Sequence, residues 1–426
     1  MSDTRDLLRS AVEDFEPAPD AFERVLVRRD RKRRNARVAA GIVGVAIFAL
    51  AAFGLVRLLG SERTTGLPEP TLPTNGRWVV FSALHLDPDP DAPQVSRGQD
   101  LNLYVSDGDG TARLLVGTEG SSTTRHCPAF SPDGALLAWG EKGERTVAGG
   151  EVVISGFAPS GQLRGEEIRI SIPTIPPFFG PPCPTWSPVG QRLAVFAPRE
   201  GLLLVQADGS TRSIDIEAFR GLDELSRLEW SPDGSHVAVL PYSDTPWVVP
   251  VDGGAPVHLT EFDGAEPGSI AWTDDGSLVV AGSRGPLGLD TGPLGLETDP
   301  FVDVLDISTG AVSEVPLPTA WDVSEAVFDI LSAGSDRFVV MRGWTQPDLL
   351  DLQGHVTTLG NLAYRPSSFM SISPDGKQML YVTIDPNSGA QALVAVPLDG
   401  GQPTRYSPWT PRGFGDNYST FAWQPG

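Results

Sequence analysis

Four aspartates invite a chemical reading first. Asp133, Asp233, Asp275 and Asp375 recur in Ser131-Pro132-Asp133-Gly134, Ser231-Pro232-Asp233-Gly234, Thr273-Asp274-Asp275-Gly276 and Ser373-Pro374-Asp375-Gly376. A repeated carboxylate beside a hydroxyl is suited to general acid–base work or to holding a hard cation. A second place is Cys127, which has His126 beside it and Cys183 as the only other cysteine of the chain. A thiol next to an imidazole is the raw material of a nucleophile and its base. The other histidines, at positions 85, 236, 258 and 355, fall at different strand registers and show no zinc-ligand spacing. Asp87-Pro88-Asp89-Pro90-Asp91 and Asp107-Gly108-Asp109-Gly110 present oxygen ligands, but the full calcium-loop pattern is missing, so a solvated acidic loop is the better reading. No nucleophile elbow, phosphate-binding loop or dinucleotide fingerprint occurs. The expectation is therefore no catalytic residue, no metal and no cofactor.

The elements that would carry these residues explain the carboxylates differently. In Trp230-Ser231-Pro232-Asp233-Gly234 the proline presets φ at the second turn position, the Ser and Asp side chains bond nearby backbone, and Gly accepts positive φ. Related copies stand at Ala129-Phe130-Ser131, Thr185-Trp186-Ser187-Pro188-Val189-Gly190, Ala271-Trp272-Thr273, Ser371-Ile372-Ser373 and Ala422-Trp423-Gln424-Pro425-Gly426. Each full copy is a hairpin turn between an aromatic-ended strand and an apolar one. A second hairpin follows most copies, as in Leu202–Val205 and Thr211–Ile214 around Ala207-Asp208-Gly209. One unit is thus four antiparallel strands. The motif glycines at 134, 190, 234, 276 and 376 leave gaps of 56, 44, 42 and 100 residues, so the last gap holds a degenerate unit near Val327–Leu331 and Arg337–Met341. The two chain ends supply half a unit each, Trp78–Phe81 and Phe421–Gly426, which closes a ring of seven. The fold class is all-β: a seven-bladed β-propeller with four-stranded blades. With 47 glycines and 39 prolines, the composition fits many short strands.

These motifs resemble the TolB-like, WD-repeat-like propeller family across residues 75–426. The resemblance departs from pattern at Val189, at Thr273-Asp274 and in the sixth blade. It implies structure rather than activity, and a contribution to envelope integrity through protein partners.

Before the propeller, the chain divides into three parts. Residues 1–37 form a tail with short helical stretches and a basic cluster from Arg28 to Arg37. Residues 38–59 are predicted to be a transmembrane helix, because Val38 to Val56 carries no charge and about 20 helical residues cross a bilayer core. An uncleaved anchor is preferred to a cleaved leader, since Ala49-Leu50-Ala51 sits inside the apolar run. Residues 60–74 read as a Pro-rich linker. The basic cluster keeps the N-terminus cytoplasmic and puts the propeller outside, in the cell membrane as a single-pass protein. The net charge of −22 argues against a nucleic-acid partner. The layout, and 29 Arg against 3 Lys, is similar to membrane-anchored propellers of high-GC Gram-positive bacteria.

Strand direction divides the propeller's two ends. The Ser-Pro-Asp-Gly turns share one, and the longer connections share the other, where binding residues concentrate on a rigid scaffold. The candidate ligand-binding residues on that distal face are Arg125, His126, Phe178, Phe179, Trp344, Tyr364, Trp409, Arg412, Phe414 and Tyr418. Cys127 and Cys183 each stand four residues before their motif Ser in adjacent blades. A disulfide is favoured there over two free buried thiols, with a catalytic Cys127 the weakest reading. The function expected is a binding or scaffold module for a protein, peptide or envelope glycan. Two alternatives stand: a signalling protein whose tail binds a cytoplasmic regulator in a weakly anti-sigma-like manner, and a propeller lyase or hydrolase using Arg125, His126 and loop acids.

Overall fold

The computed structural model describes residues 78–83, 101–117, 123–143, 149–173, 175, 181–198, 200–217, 219, 225–241, 245–262, 265–284, 299–318, 321, 327–342, 346–359, 370–384, 390–408 and 418–425. All belong to one structural unit, Pro70–Gly426. The expected tail, transmembrane helix and linker lie outside the described residues. Among those described, no helix is long and apolar enough to cross a membrane.

Seven four-stranded antiparallel sheets make the ring. Blade 1 is built from both chain ends, in the order Tyr418–Trp423, Val79–Ala83, Asn102–Ser106, Arg113–Val116 from the axis outward. Blades 2 to 7 follow in chain order, their innermost strands being Thr124–Phe130, Thr185–Trp186, Leu225–Trp230, Ala265–Trp272, Val327–Ser332 and Met370–Ile372. The sixth, motif-poor unit forms a complete blade over Val327–Ser332, Arg337–Arg342, Gln346–Asp351 and Val356–Thr358.

Side chains alternate across a strand, so each blade presents two faces, and here both are apolar. In Val79–Ala83, Val79, Phe81 and Ala83 pack toward blade 7, while Val80 packs toward blade 2. The core is accordingly divided among the seams between neighbouring blades, with one buried cluster at each. Burial on both faces explains why the second strands read as nearly unbroken apolar runs such as Leu278–Ala281.

The motif carboxylates are consumed by their own turns. Ser231 Oγ donates to Asp233 Oδ1 at 2.7 Å and accepts the His236 N–H at 2.9 Å, while Asp233 Oδ1 also takes the Ser235 N–H. The same pattern holds at Ser131/Asp133, Thr273/Asp275 and Ser373/Asp375. At Val189, where no carboxylate is available, Ser187 Oγ turns instead to the Val189 carbonyl at 2.7 Å. Gly234 sits at φ +67° against the preceding blade's turn, and a Cβ there would lie 2.3 Å from Val189 Cγ2.

The aromatic before each turn has a second use. Trp186 Nε1 donates to the Ala129 carbonyl, Trp230 Nε1 to Thr185 and Trp272 Nε1 to Glu229, at 2.9, 3.0 and 3.2 Å. Each indole thus latches its blade to the innermost strand of the one before. Blade 6 carries Ser332 at that position. Its seam is tied instead by Asp274, which accepts the Ser335 N–H at 2.8 Å and donates its own N–H to Asp336 at 3.4 Å.

Two outcomes are expected. Trp230→Phe keeps the ring but leaves the Thr185 carbonyl without its donor, and should cost about 1–2 kcal/mol in urea unfolding. Hydrogen bonds from Ser231 and Ser235 hold the Asp233 carboxyl at a pKa of about 2, below the unfolded value. That stabilisation is present above about pH 4 and lost as pH falls toward 2. Asp233→Asn should therefore lower the urea midpoint at pH 7, and the gap from the parent protein should narrow steadily from about pH 4 down to pH 2.

Candidate functional site

The innermost strands converge on the axis, and their pairing registers align a ring of equivalent positions. Each lies three residues along the second strand from the motif aromatic's partner: Arg227 opposite Leu240, Ser269 opposite Ala281, Asp329 opposite Met341 and Thr420 opposite Ser82. In blade 2 the corresponding residue is His126, opposite Gly140, because a β-bulge between His126 and Ala129 inserts one extra residue. That extra residue lets Cys127 turn beside His126; its φ is +51°, in the left-handed region.

Two polar groups occupy this ring. On one side, Arg227 reaches across blade 5: its Nε donates to Glu229 Oε1 at 2.9 Å, and its Nη1 donates to Asp329 and to Ser269 Oγ. Ser269 Oγ donates in turn to Asp329 Oδ1 at 2.8 Å. Burial opposes the Arg227 charge, but Asp329 and Glu229 outweigh it and raise its pKa, so this crosspiece of blades 4, 5 and 6 remains ionic. Below it runs an axial cavity of about 560 Å³, lined among others by Glu229, Thr185, Trp230, Met370 and Ser371. Its lining extends to Pro188, Pro232 and Asp274 at the short-turn end. The cavity has the size of a small-ligand site.

On the other side, Cys127 and Cys183 form the expected disulfide, with Cα atoms 5.1 Å apart. Thr420 Oγ1 accepts the Cys127 N–H at 2.8 Å. His126 Nδ1 lies 3.0 Å from Cys127 Sγ and 3.9 Å from Cys183 Sγ. Burial pushes the His126 pKa down to about 4, so its ring is neutral at pH 7. Cys183 is the exposed member of the pair. The segment bearing it rests on Gly140, where a Cβ would lie only 1.9 Å from the Pro182 carbonyl oxygen.

Arg125, read from the sequence as a ligand contact, is committed within the fold. Its Nε lies 3.3 Å from Glu141 Oε2, its Nη1 is 3.4 Å from Asn102 Oδ1 in blade 1, and its side chain is 11% exposed. Among the described residues, the structure brings His126 to the disulfide. Phe178, Phe179, Trp344, Tyr364, Trp409, Arg412 and Phe414 lie outside the described residues. Tyr418 opens the innermost strand of blade 1. Of the calcium candidates, Asp107 and Asp109 accept the Asp109 and Thr111 N–H groups in consecutive turns, and the 87–91 run lies outside the described residues. The Arg227–Ser269–Asp329 crosspiece was missed in the sequence. Reading the column four residues before each motif Ser, the same column that holds both cysteines, would have found it.

No protein-family model matches the chain, and no curated protein matches it in sequence. Among solved structures, a prolyl endopeptidase matches at 14% identity with a TM-score of 0.51, over 74% of this chain and 47% of that one. This chain therefore spans about half of that peptidase's length. The propeller domain of Cps50 (Swd1) from Myceliophteria thermophila matches at 15% identity and a TM-score of 0.47, over 71% and 93% of the two chains. Dihydro-heme d1 dehydrogenase NirN matches at 15% identity and a TM-score of 0.44, over 82% and 77%. At these identities the likeness is one of fold.

Because Gly140 admits the Pro182 backbone, Gly140→Ala should displace the segment that carries Cys183. Thiol titration under denaturing, non-reducing conditions should then find free cysteine in the variant and none in the parent protein.

Proposed function

We propose that the chain is a single-pass, membrane-anchored propeller. It holds its blades outside the cytoplasm and binds a protein, peptide or envelope glycan on the end opposite the Ser-Pro-Asp-Gly turns. The observation that carries this reading is one of strand order. In every blade the second-to-third strand connection and the link to the next blade leave from the same end, and the chain's long connections are of these two kinds, such as 84–101, 285–298, 360–369 and 409–417. The other end consists of short turns whose carboxylates are already bonded to their own backbone. A rigid ring whose long connections leave from one end suits recognition rather than bond-making.

The anchor rests on the uncharged run from Val38 to Val56 behind the Arg28–Arg37 cluster. The disulfide fits an oxidising compartment. The TolB-like resemblance of the motifs agrees with an envelope role through partners.

Epitope tags at the two chain ends test the topology. Protease added to intact cells should remove the C-terminal tag and spare the N-terminal one, and the reverse pattern overturns the reading. Cross-linking from the cell surface should then capture partners through the end bearing the long connections. Deleting residues 286–297 or 361–368 should reduce capture, and capture unaffected by either deletion would move the binding site elsewhere.

A further inference from the structure

A structural disulfide needs only its two sulfurs, yet here a third ligand-forming group is aimed at the pair. His126 and Cys127 are consecutive, and consecutive side chains of a regular strand point to opposite faces. The bulge between His126 and Ala129 and the positive φ of Cys127 cancel that alternation and bring His126 Nδ1 to 3.0 Å from Cys127 Sγ. Cys183 arrives from the neighbouring blade, and the three ligand atoms lie within 4.8 Å of one another.

We propose that reduction of the Cys127–Cys183 bond converts this cluster into a Cys2His site for a thiophilic d10 cation of the zinc class, with a fourth coordination position open. Metal and disulfide then exclude one another, and the blade 2–blade 3 seam is held by whichever is present.

The geometry accommodates the exchange. Tetrahedral zinc with Zn–S bonds of about 2.3 Å and Zn–N bonds of about 2.0 Å sets its ligand atoms roughly 3.5–3.8 Å apart. The His126 Nδ1–Cys183 Sγ separation of 3.9 Å is already close to this. Breaking the bond lets the two sulfurs part, and the Cα separation of 5.1 Å leaves room for both to reach one ion. Exposed Cys183 is the sulfur an external thiolate can reach, leaving Cys127 as the departing thiolate beside His126. A dithiol reductant supplies two electrons and two protons, giving two cysteine thiols and its own cyclic disulfide. The cation then displaces both thiol protons to solvent. Three protein ligands and an open position match the arrangement of reactive rather than purely structural zinc sites.

The test uses the full-length chain in detergent. A phosphine reductant opens the disulfide, taking up one water oxygen as phosphine oxide, and is removed anaerobically. Zinc alone is then titrated against a chromophoric indicator. The reduced chain should bind zinc stoichiometrically and at least about 100-fold more tightly than the oxidised chain, and His126→Ala should weaken binding by about tenfold or more. With cobalt, the reduced chain should show the thiolate charge-transfer and tetrahedral d–d bands that the oxidised chain lacks. Should a variant fold poorly, the parent protein still decides the matter, because bound zinc should slow alkylation of Cys127 and Cys183. The proposal is overturned if reduced and oxidised chains bind zinc equally, if His126→Ala binds as the parent does, or if zinc leaves alkylation unchanged.

Discussion

Ring closure is the constraint on which the rest of this structure depends. A blade with two apolar faces is insoluble alone and half-buried in an open row, so only a closed ring covers every face. Closure is made by pairing Tyr418–Trp423 with Val79–Ala83, which brings the two ends of the described fold into one sheet. Everything observed at the axis follows. Once closed, the ring forces seven innermost strands together, and their inward positions become the one interior surface not covered by a neighbouring sheet. That is where Arg227, Glu229, Ser269, Asp329 and the disulfide are found.

The seams are equivalent in topology but not in chemistry. Among the described residues four are bridged by an indole N–H: three by the motif residues Trp186, Trp230 and Trp272, and the blade 1–blade 2 seam by Trp78, whose Nε1 donates to the Pro159 carbonyl at 2.8 Å. At the seam between blades 5 and 6 the motif position holds Ser332, and the Asp274 turn contacts and the hydrogen bond from Ser269 Oγ to Asp329 join the two blades. The closing seam has Trp423, but its Nε1 is buried with no hydrogen-bond partner among the described residues. There the ring of Tyr406 packs edge-on against Trp423 at 5.4 Å between centroids, so apolar contact replaces the latch. The seam between blades 2 and 3 has both an indole latch and a covalent bond.

The sequence made the blades legible because a Ser-Pro-Asp-Gly turn has few conformations open to it, and its repeats mark blade boundaries even where one copy, near Gly334, has decayed. The disulfide was legible for the same reason, since equal offsets from two motifs bring Cys127 and Cys183 close enough in adjacent blades to bond even with the extra residue of the bulge. The axial crosspiece was not. Arg227, Ser269 and Asp329 are ordinary residue types, and only the ring makes neighbours of positions far apart in sequence. The role of His126 was hidden by the bulge, which shifts register by one residue and leaves no mark in composition. The partners of Arg125 were hidden for a related reason: the Asn102 and Glu141 groups that engage it come from other strands.

The strand that closes the ring also determines how the fold meets a mechanical load. Val79–Ala83 is the second strand of its blade, bonded along one edge to Tyr418–Trp423 and along the other to Asn102–Ser106. Tension entering from the N-terminal side would act along this strand's axis. Both rows of hydrogen bonds would then resist together in shear rather than unzip one at a time. An edge strand such as Arg113–Val116 would peel away under the same force. By giving its first strand two partners, the propeller places a joint that resists shear where the chain enters the ring.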